Sequence, residues 1–194
     1  MACTIVLEPR DAGPAILAPA VEALRRGELV ILPTDTVYGL AARADQPEAV
    51  AGIYAAKRRP DHKPLSYHAG SWDMIRRIAP DAPAAALAAM RRCLPGPYTF
   101  LVASGGRTVG IRFPDHPVCS ALLGACEFPV AATSANISGE PSPLNIAMAG
   151  SVRGCAAVIV DAGPTPLQGE STIVDLTVEP PACVRQGIAP WPKP

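Results

Sequence analysis

Residues 57–68, KRRPDHKPLSYH, place four cations and two histidines within twelve positions, with Pro60 and Pro64 stiffening the segment. Cations held at fixed positions are what binding a polyphosphate requires, although a solvated helix end carries the same charges. A second stretch, TVGIRFPDHP (108–117), sets Arg112 between Ile111 and Phe113, so in a strand its side chain takes the face opposite theirs. If that face is covered, the guanidinium needs a protein carboxylate or a ligand anion. In PVAATSANISGEPSP (129–143) an apolar run ends in Thr133-Ser134-Ala135-Asn136. Small hydroxyl and amide groups followed by Gly139 let a ligand approach closely, and such turns also occur with no function. LPTDTVYGL (32–40) packs two hydroxyls, a carboxylate and a phenol directly after the apolar ELVIL, which reads as the mouth of a site. Ser171 and Thr172 open a further strand, and Arg185 lies on a late one.

The motifs that are missing narrow the chemistry. The chain holds no GxGxxG, no P-loop, no GxSxG and no metal-ligand spacing. An enzyme built from these residues works by positioning and charge neutralisation, without an evident protein nucleophile. The six cysteines form no CxxC and no Cys/His ligand pattern, so buried free thiols are expected. MACTIVLEPRDAG lacks the apolar core of a signal peptide and no run reaches membrane-spanning length, which implies a reduced, cytoplasmic setting without a membrane. The 17 basic and 17 acidic residues cancel, but residues 57–92 hold eight Lys/Arg against three Asp. This local excess of five suits a phosphate-bearing ligand, with the Arg pairs at 76–77 and 91–92 reading as solvated helix faces.

These groups must be positioned by short elements. Helical spacing covers 14–27, 46–59, 71–79, 83–94 and 116–127. Apolar runs at 28–32, 64–68, 98–103, 108–113, 128–134, 156–163, 171–177 and 182–187 read as strands. Ser104-Gly105-Gly106 joins two of them, and the tail GIAPWPKP reads as an arm or frayed end. Helices and strands mix without strict alternation, so the expected fold is α/β, a twisted, mixed and largely antiparallel open sheet flanked by helices. With 194 residues, no repeat and no linker, a single domain over 1–194 is expected.

In order, PTDTVYGL, KRRP with KPL and a following His, PGPYTF, VGIRFPDHP, TSANISG, STIVDLT and VRQG resemble YrdC/TsaC-type threonylcarbamoyl-AMP synthases over roughly residues 15–188. The resemblance implies a large basic cavity and a nucleotidyltransferase that joins L-threonine, bicarbonate or CO2 and ATP into threonylcarbamoyl-adenylate and pyrophosphate. It implies a place in the N6-threonylcarbamoyladenosine (t6A) modification of tRNA, with double-stranded RNA binding and tRNA or its threonylcarbamoyl-transfer machinery as partners. By motif, Lys57, Arg59 and Lys63 would be catalytic and face the nucleotide phosphates. Thr108, Asn136, Ser142 and Arg185 would complete the nucleotide site. Thr34, Tyr38, His68, Arg112, Ser134 and Ser171 would contact threonine. Mg2+ would be carried by the phosphates, with no protein metal site.

PGPYTF, TVGIR and VRQG with a short Pro-rich tail also resemble the YciO branch, whose substrate differs, while TSAN and the KRRP…K set favour the synthases. Longer relatives add a C-terminal domain, so this chain resembles the short, single-domain type. A non-enzyme alternative, an RNA-binding module using the basic 57–92 surface, requires salt-sensitive RNA binding without ATP turnover. Carbamoyl transfer, as in hydrogenase-maturation domains, would need acylphosphatase and zinc-finger modules that this sequence lacks.

Overall fold

The computed structural model describes residues 2–191. A ten-stranded sheet runs through it, assembled from β1 (Cys3–Val6), β2 (Val30–Leu32), β3 (Gly39–Arg43), β4 (Ser66–His68), β5 (Tyr98–Ser104), β6 (Arg107–Arg112), β7 (Val130–Ser134), β8 (Val158–Asp161), β9 (Thr172–Asp175) and β10 (Ala182–Arg185). Their order is β1-β8-β2-β3-β7-β4-β6-β5-β9-β10. Pairs β1–β8, β2–β8, β4–β6 and β5–β9 are parallel and the other five antiparallel, so the sheet is open and mixed, as expected. The β5–β6 hairpin turns on Gly105 and Gly106, with φ of 59° and 71°. A two-residue turn of that hand needs positive φ at both positions, which glycine adopts freely.

Five α-helices flank the sheet: α1 (Pro14–Arg25), α2 (Pro47–Lys57), α3 (Trp72–Ile78), α4 (Ala84–Arg91) and α5 (Pro117–Gly124). Leu17, Leu24, Leu122 and Leu123 of α1 and α5 pack on Val30, Ala41, Val130 and Ala132, covering one face of the left half. Ile53 of α2 packs with Ile31, Leu40 and Ile159 on the other face. The α3 and α4 residues Met74, Ile75 and Met90 pack with Phe100, Val102, Val109, Ile111 and Val174, also on that second face.

This leaves the right half covered on one side only. Along β5 and β6 the alternate residues Phe100, Val102, Val109 and Ile111 are fully or almost fully buried. Their neighbours Leu101 and Gly110 are half-buried and Thr108 is exposed. Side chains alternate across a strand, so Thr99, Leu101, Thr108, Gly110 and Arg112 share the face that no helix covers. This open face is where a ligand can reach the sheet.

Sequence reading misses β1, β3 and a kinked 3-10 segment, Ile146–Cys155. GLAAR lacks the β-branched and aromatic residues that mark a strand, and it forms one because it pairs on both sides. The tail is not frayed through Trp191, which packs edge-on against Phe100 and Tyr98 while the Tyr98 hydroxyl donates to Pro190 O at 2.8 Å. Residues 192–194 of the expected arm lie outside the described residues. Only Cys119 and Cys126 are buried; Cys3, Cys155 and Cys183 are exposed, because their segments lie at the sheet edges or outside the packed helices. Among the described residues no helix is long and apolar enough to cross a membrane.

Candidate active site

The β2–β3 connection, 33–38, is almost wholly buried at Thr34, Asp35, Thr36 and Val37. Arg112 reaches it from β6. Its Nη2 donates to Asp35 Oδ1 at 2.5 Å, to Thr34 Oγ1 at 3.1 Å and to Thr36 Oγ1. The Thr34 hydroxyl donates to Val37 O at 2.7 Å and accepts from the Thr36 and Val37 amides, so it braces the loop around the guanidinium. The Arg112–Asp35 pair is buried, with side chains 7% and 2% exposed. The covered guanidinium thus has its protein carboxylate.

The pair does not use all of its polar atoms. Arg112 Nε, Asp35 Oδ2 and His68 Nδ1 are buried without a hydrogen-bond partner. His68 stands opposite Arg112 in the β4–β6 register, and Thr99 stands opposite Arg112 on β5. Burial, and secondly the Arg112 charge, hold the His68 pKa well below the usual imidazole value, so the ring is neutral. Buried polar atoms are nearly always satisfied, so three unsatisfied ones on residues that meet at Arg112 make this a candidate ligand position.

Thr99 leads to a second group. Thr99 Oγ1 and Ser171 Oγ lie 2.9 Å apart. Arg185 donates to Ser171 O from Nη2 and Nε at 2.8 and 3.2 Å, and to Ser171 Oγ at 3.2 Å. Its Nη1 pairs with Glu170 Oε2 at 2.7 Å, and Ser142 Oγ donates to Glu170 Oε1 at 2.6 Å. Ser142, Ser171 and Arg185, distant in sequence, meet around Glu170.

The third group is built by Lys57. Arg58 ends α2 in the left-handed conformation, φ 50°, which is usually reserved for glycine. Lys57, just before it, turns inward and is 1% exposed. Its ammonium donates to Ser134 O, to Asn136 O at 2.5 Å and to Asn136 Oδ1 at 3.4 Å. The Asn136 amide nitrogen donates to Glu140 O at 2.6 Å and Ile137 O at 3.1 Å. Lys57 therefore does not extend toward solvent as a phosphate-facing cation; its donors are spent on the TSAN loop. Burial, then the Arg59 charge, bring its pKa down to about 8, with Glu170 opposing.

Arg59 also works on the backbone, donating to Lys63 O at 3.1 Å and Pro64 O at 2.9 Å, which closes the loop from α2 to β4. Lys63 is exposed at the tip of that loop. Thr108 lies on the Arg112 face of β6 but four residues away, about 13 Å along the strand. Tyr38 departs from expectation. It is fully buried with Ile31, Leu40 and Ile53 on the opposite side, its hydroxyl donating to Gly163 O at 2.7 Å and Asp161 Oδ1 at 3.1 Å. Alternation forces this, since Tyr38 and Leu40 share a face.

Sequence reasoning left Asp35, Thr36, Thr99, Glu170 and the buried His116 without a role. His116 caps α5, its Nδ1 accepting from Cys119 N at 3.5 Å, and burial lowers its pKa against the opposing charges of Asp35 and Asp115. Clefts of about 380 Å³ beside Met74 and Phe128 and about 590 Å³ along Tyr54 and Asp61 contain none of the Arg112, His68 or Arg185 groups. Among the described residues no group of three or more His, Cys, Asp or Glu side chains is placed to hold a metal ion.

The fold is a mixed α/β sheet open on one half, with a buried Arg112–Asp35 pair and a second ion pair, Arg185–Glu170, on β10. The profile of the Sua5/YciO/YrdC family, described as telomere recombination, matches residues 22–187, and the chain belongs to that family. It is similar to the threonylcarbamoyl-AMP synthase of Bacillus subtilis, 39% identical over 183 residues, covering 88% of this chain and 53% of the relative. Sua5 of Pyrococcus abyssi, solved in complex with L-threonine, superposes with a TM-score of 0.86 at 35% identity, covering 96% of this chain and 57% of that one. Escherichia coli YciO shares the fold, with a TM-score of 0.87 at 23% identity over 98% of both chains. The chain spans about half the length of the B. subtilis relative.

Proposed function

We propose that this chain carries an L-threonylcarbamoyladenylate synthase activity in the cytoplasm, and that its product serves t6A modification of tRNA. The observation that carries the reading is the unspent edge of Arg112 beside the unpartnered His68 and Asp35 atoms. The substrate carboxylate accepts from the Arg112 Nε–H, a donor that the protein leaves without a partner. The neutral His68 ring lies beside the same position, within the substrate's reach. Thr34 acts through Arg112, which it holds in place, and Tyr38 acts only by anchoring the start of β3.

The nucleotide lies across the open face, which with Lys63 and Arg185 forms the basic cavity. Ser142, Arg185 and Thr108 line its length, and Arg59 keeps Lys63 at the loop tip. Carboxylation of the threonine amine by bicarbonate or CO2 supplies the nucleophile. A carbamate oxygen attacks the α-phosphorus, the bond to the bridging oxygen of pyrophosphate breaks, and a mixed anhydride with AMP forms. The protein supplies orientation and positive charge, and Lys57 contributes by fixing Ser134 and Asn136. Mg2+ carried by the phosphates would neutralise further charge, with no protein ligand of its own.

The product is labile, so tRNA or the protein that modifies it receives the adenylate directly. Chromatographic detection of threonylcarbamoyl-AMP from ATP, bicarbonate and threonine tests the reading. The product is expected only when all three are present.

A further inference from the structure

We infer that the Glu170 carboxylate occupies the place of a ligand anion and is displaced when a phosphate chain binds; this rests on the nucleotide site proposed above. Both side chains that converge on Glu170 are anion-binding groups. Arg185 Nη1 reaches Oε2 at 2.7 Å and Ser142 Oγ reaches Oε1 at 2.6 Å, so each carboxylate oxygen is held by one donor. A phosphate offers the same two oxygens in the same arrangement. The remaining donors of Arg185, Nε and Nη2, are spent on Ser171, which fixes the guanidinium and leaves Nη1 as the edge aimed outward.

The backbone of Glu170 is packed against a neighbouring segment, whereas its side chain is half-exposed. Ile188 N donates to Glu170 O at 2.8 Å. A Cβ at Gly187 would stand 2.3 Å from Glu170 O, so the two segments touch backbone to backbone. The side chains of Glu170 and Arg185 are 45% and 41% exposed, which leaves the carboxylate room to swing aside. Glu170 thus keeps Arg185 and Ser142 in a binding-ready arrangement, and a phosphate must compete with it.

The test is calorimetry with α,β-methylene-ATP, which cannot be cleaved at the α–β bridge, on the wild type, Glu170→Gln and Glu170→Ala. A half-exposed ion pair is a weak competitor, so the analogue is expected to bind both variants about two- to fivefold tighter than the wild type. Inorganic pyrophosphate is expected to raise Tm more in Glu170→Gln than in the wild type, a readout independent of turnover. If the wild type binds the analogue and both variants bind equally or more weakly, Glu170 only positions Arg185 and the inference fails alone. If the wild type binds neither probe, the nucleotide reading fails and takes this inference with it.

Discussion

His68 and Arg112 stand side by side in the parallel register of β4 and β6, a neutral imidazole next to a guanidinium that is already paired with Asp35. Burial, and secondly that guanidinium, hold the His68 pKa well below the ordinary imidazole value. That has a consequence for stability as well as for binding.

His68 and His116 both have folded pKa values below the ordinary imidazole value, chiefly through burial. The unfolded chain therefore takes up protons near pH 6.5 that the native protein refuses, so stability is intact above that pH and falls as pH drops below it. Each histidine contributes a slope of up to about 1.4 kcal/mol per pH unit. Urea denaturation from pH 7.5 to 5 should show this loss, and His68→Gln should reduce its slope. A flat profile in the wild type would mean that both rings accept protons in the native state.

Removing one partner of the buried Arg112–Asp35 pair leaves a charge without compensation. Asp35→Asn should lower stability by about 3–5 kcal/mol in urea titrations. Arg112→Lys should lose threonine binding even where it folds, because one ammonium cannot both hold Asp35 and present a separate donor where Nε stands. Normal threonine binding by a folded Arg112→Lys protein would reduce Arg112 to a structural role.

Lys57 and Lys63 should fail differently. Lys57→Met leaves the Ser134 and Asn136 carbonyls without their donor and should cost about 1–3 kcal/mol of stability, with faster amide exchange across 134–140. Lys63 is exposed, so Lys63→Ala should leave Tm unchanged and weaken ATP binding by on the order of 1.5–3 kcal/mol. Arg59→Ala should do both, since Arg59 closes the loop that carries Lys63. Equal Tm losses in the Lys57 and Lys63 variants would contradict this division.

Much of this was legible in the sequence because helix spacing and apolar runs report burial directly. Pro60 follows the end of α2 at Lys57, and the Gly105-Gly106 turn joins β5 and β6 where the structure has it. What was not legible depends on tertiary pairing. GLAAR becomes β3 only between β2 and β7, and the face taken by Tyr38 follows from that strand's register. Lys57 reads as a free cation in KRRP, yet the left-handed Arg58 turns it inward. The partners of Asp35 and Glu170 are not legible, because a carboxylate gives no sign of its partner until β6 and β10 bring their arginines alongside.

The central claim is that the Arg112 pocket selects threonine and that the open face turns over ATP. Pyrophosphate release from ATP and bicarbonate, measured side by side with threonine, serine, valine and no amino acid, tests it most directly. Serine lacks one methyl and should be a poor but measurable substrate, a difference worth about 1–3 kcal/mol. Valine lacks the hydroxyl that would satisfy His68 Nδ1 and should be far worse than serine. Threonine fastest, serine slow and valine near background is the predicted result; valine equal to threonine, or release that no amino acid stimulates, would contradict the account.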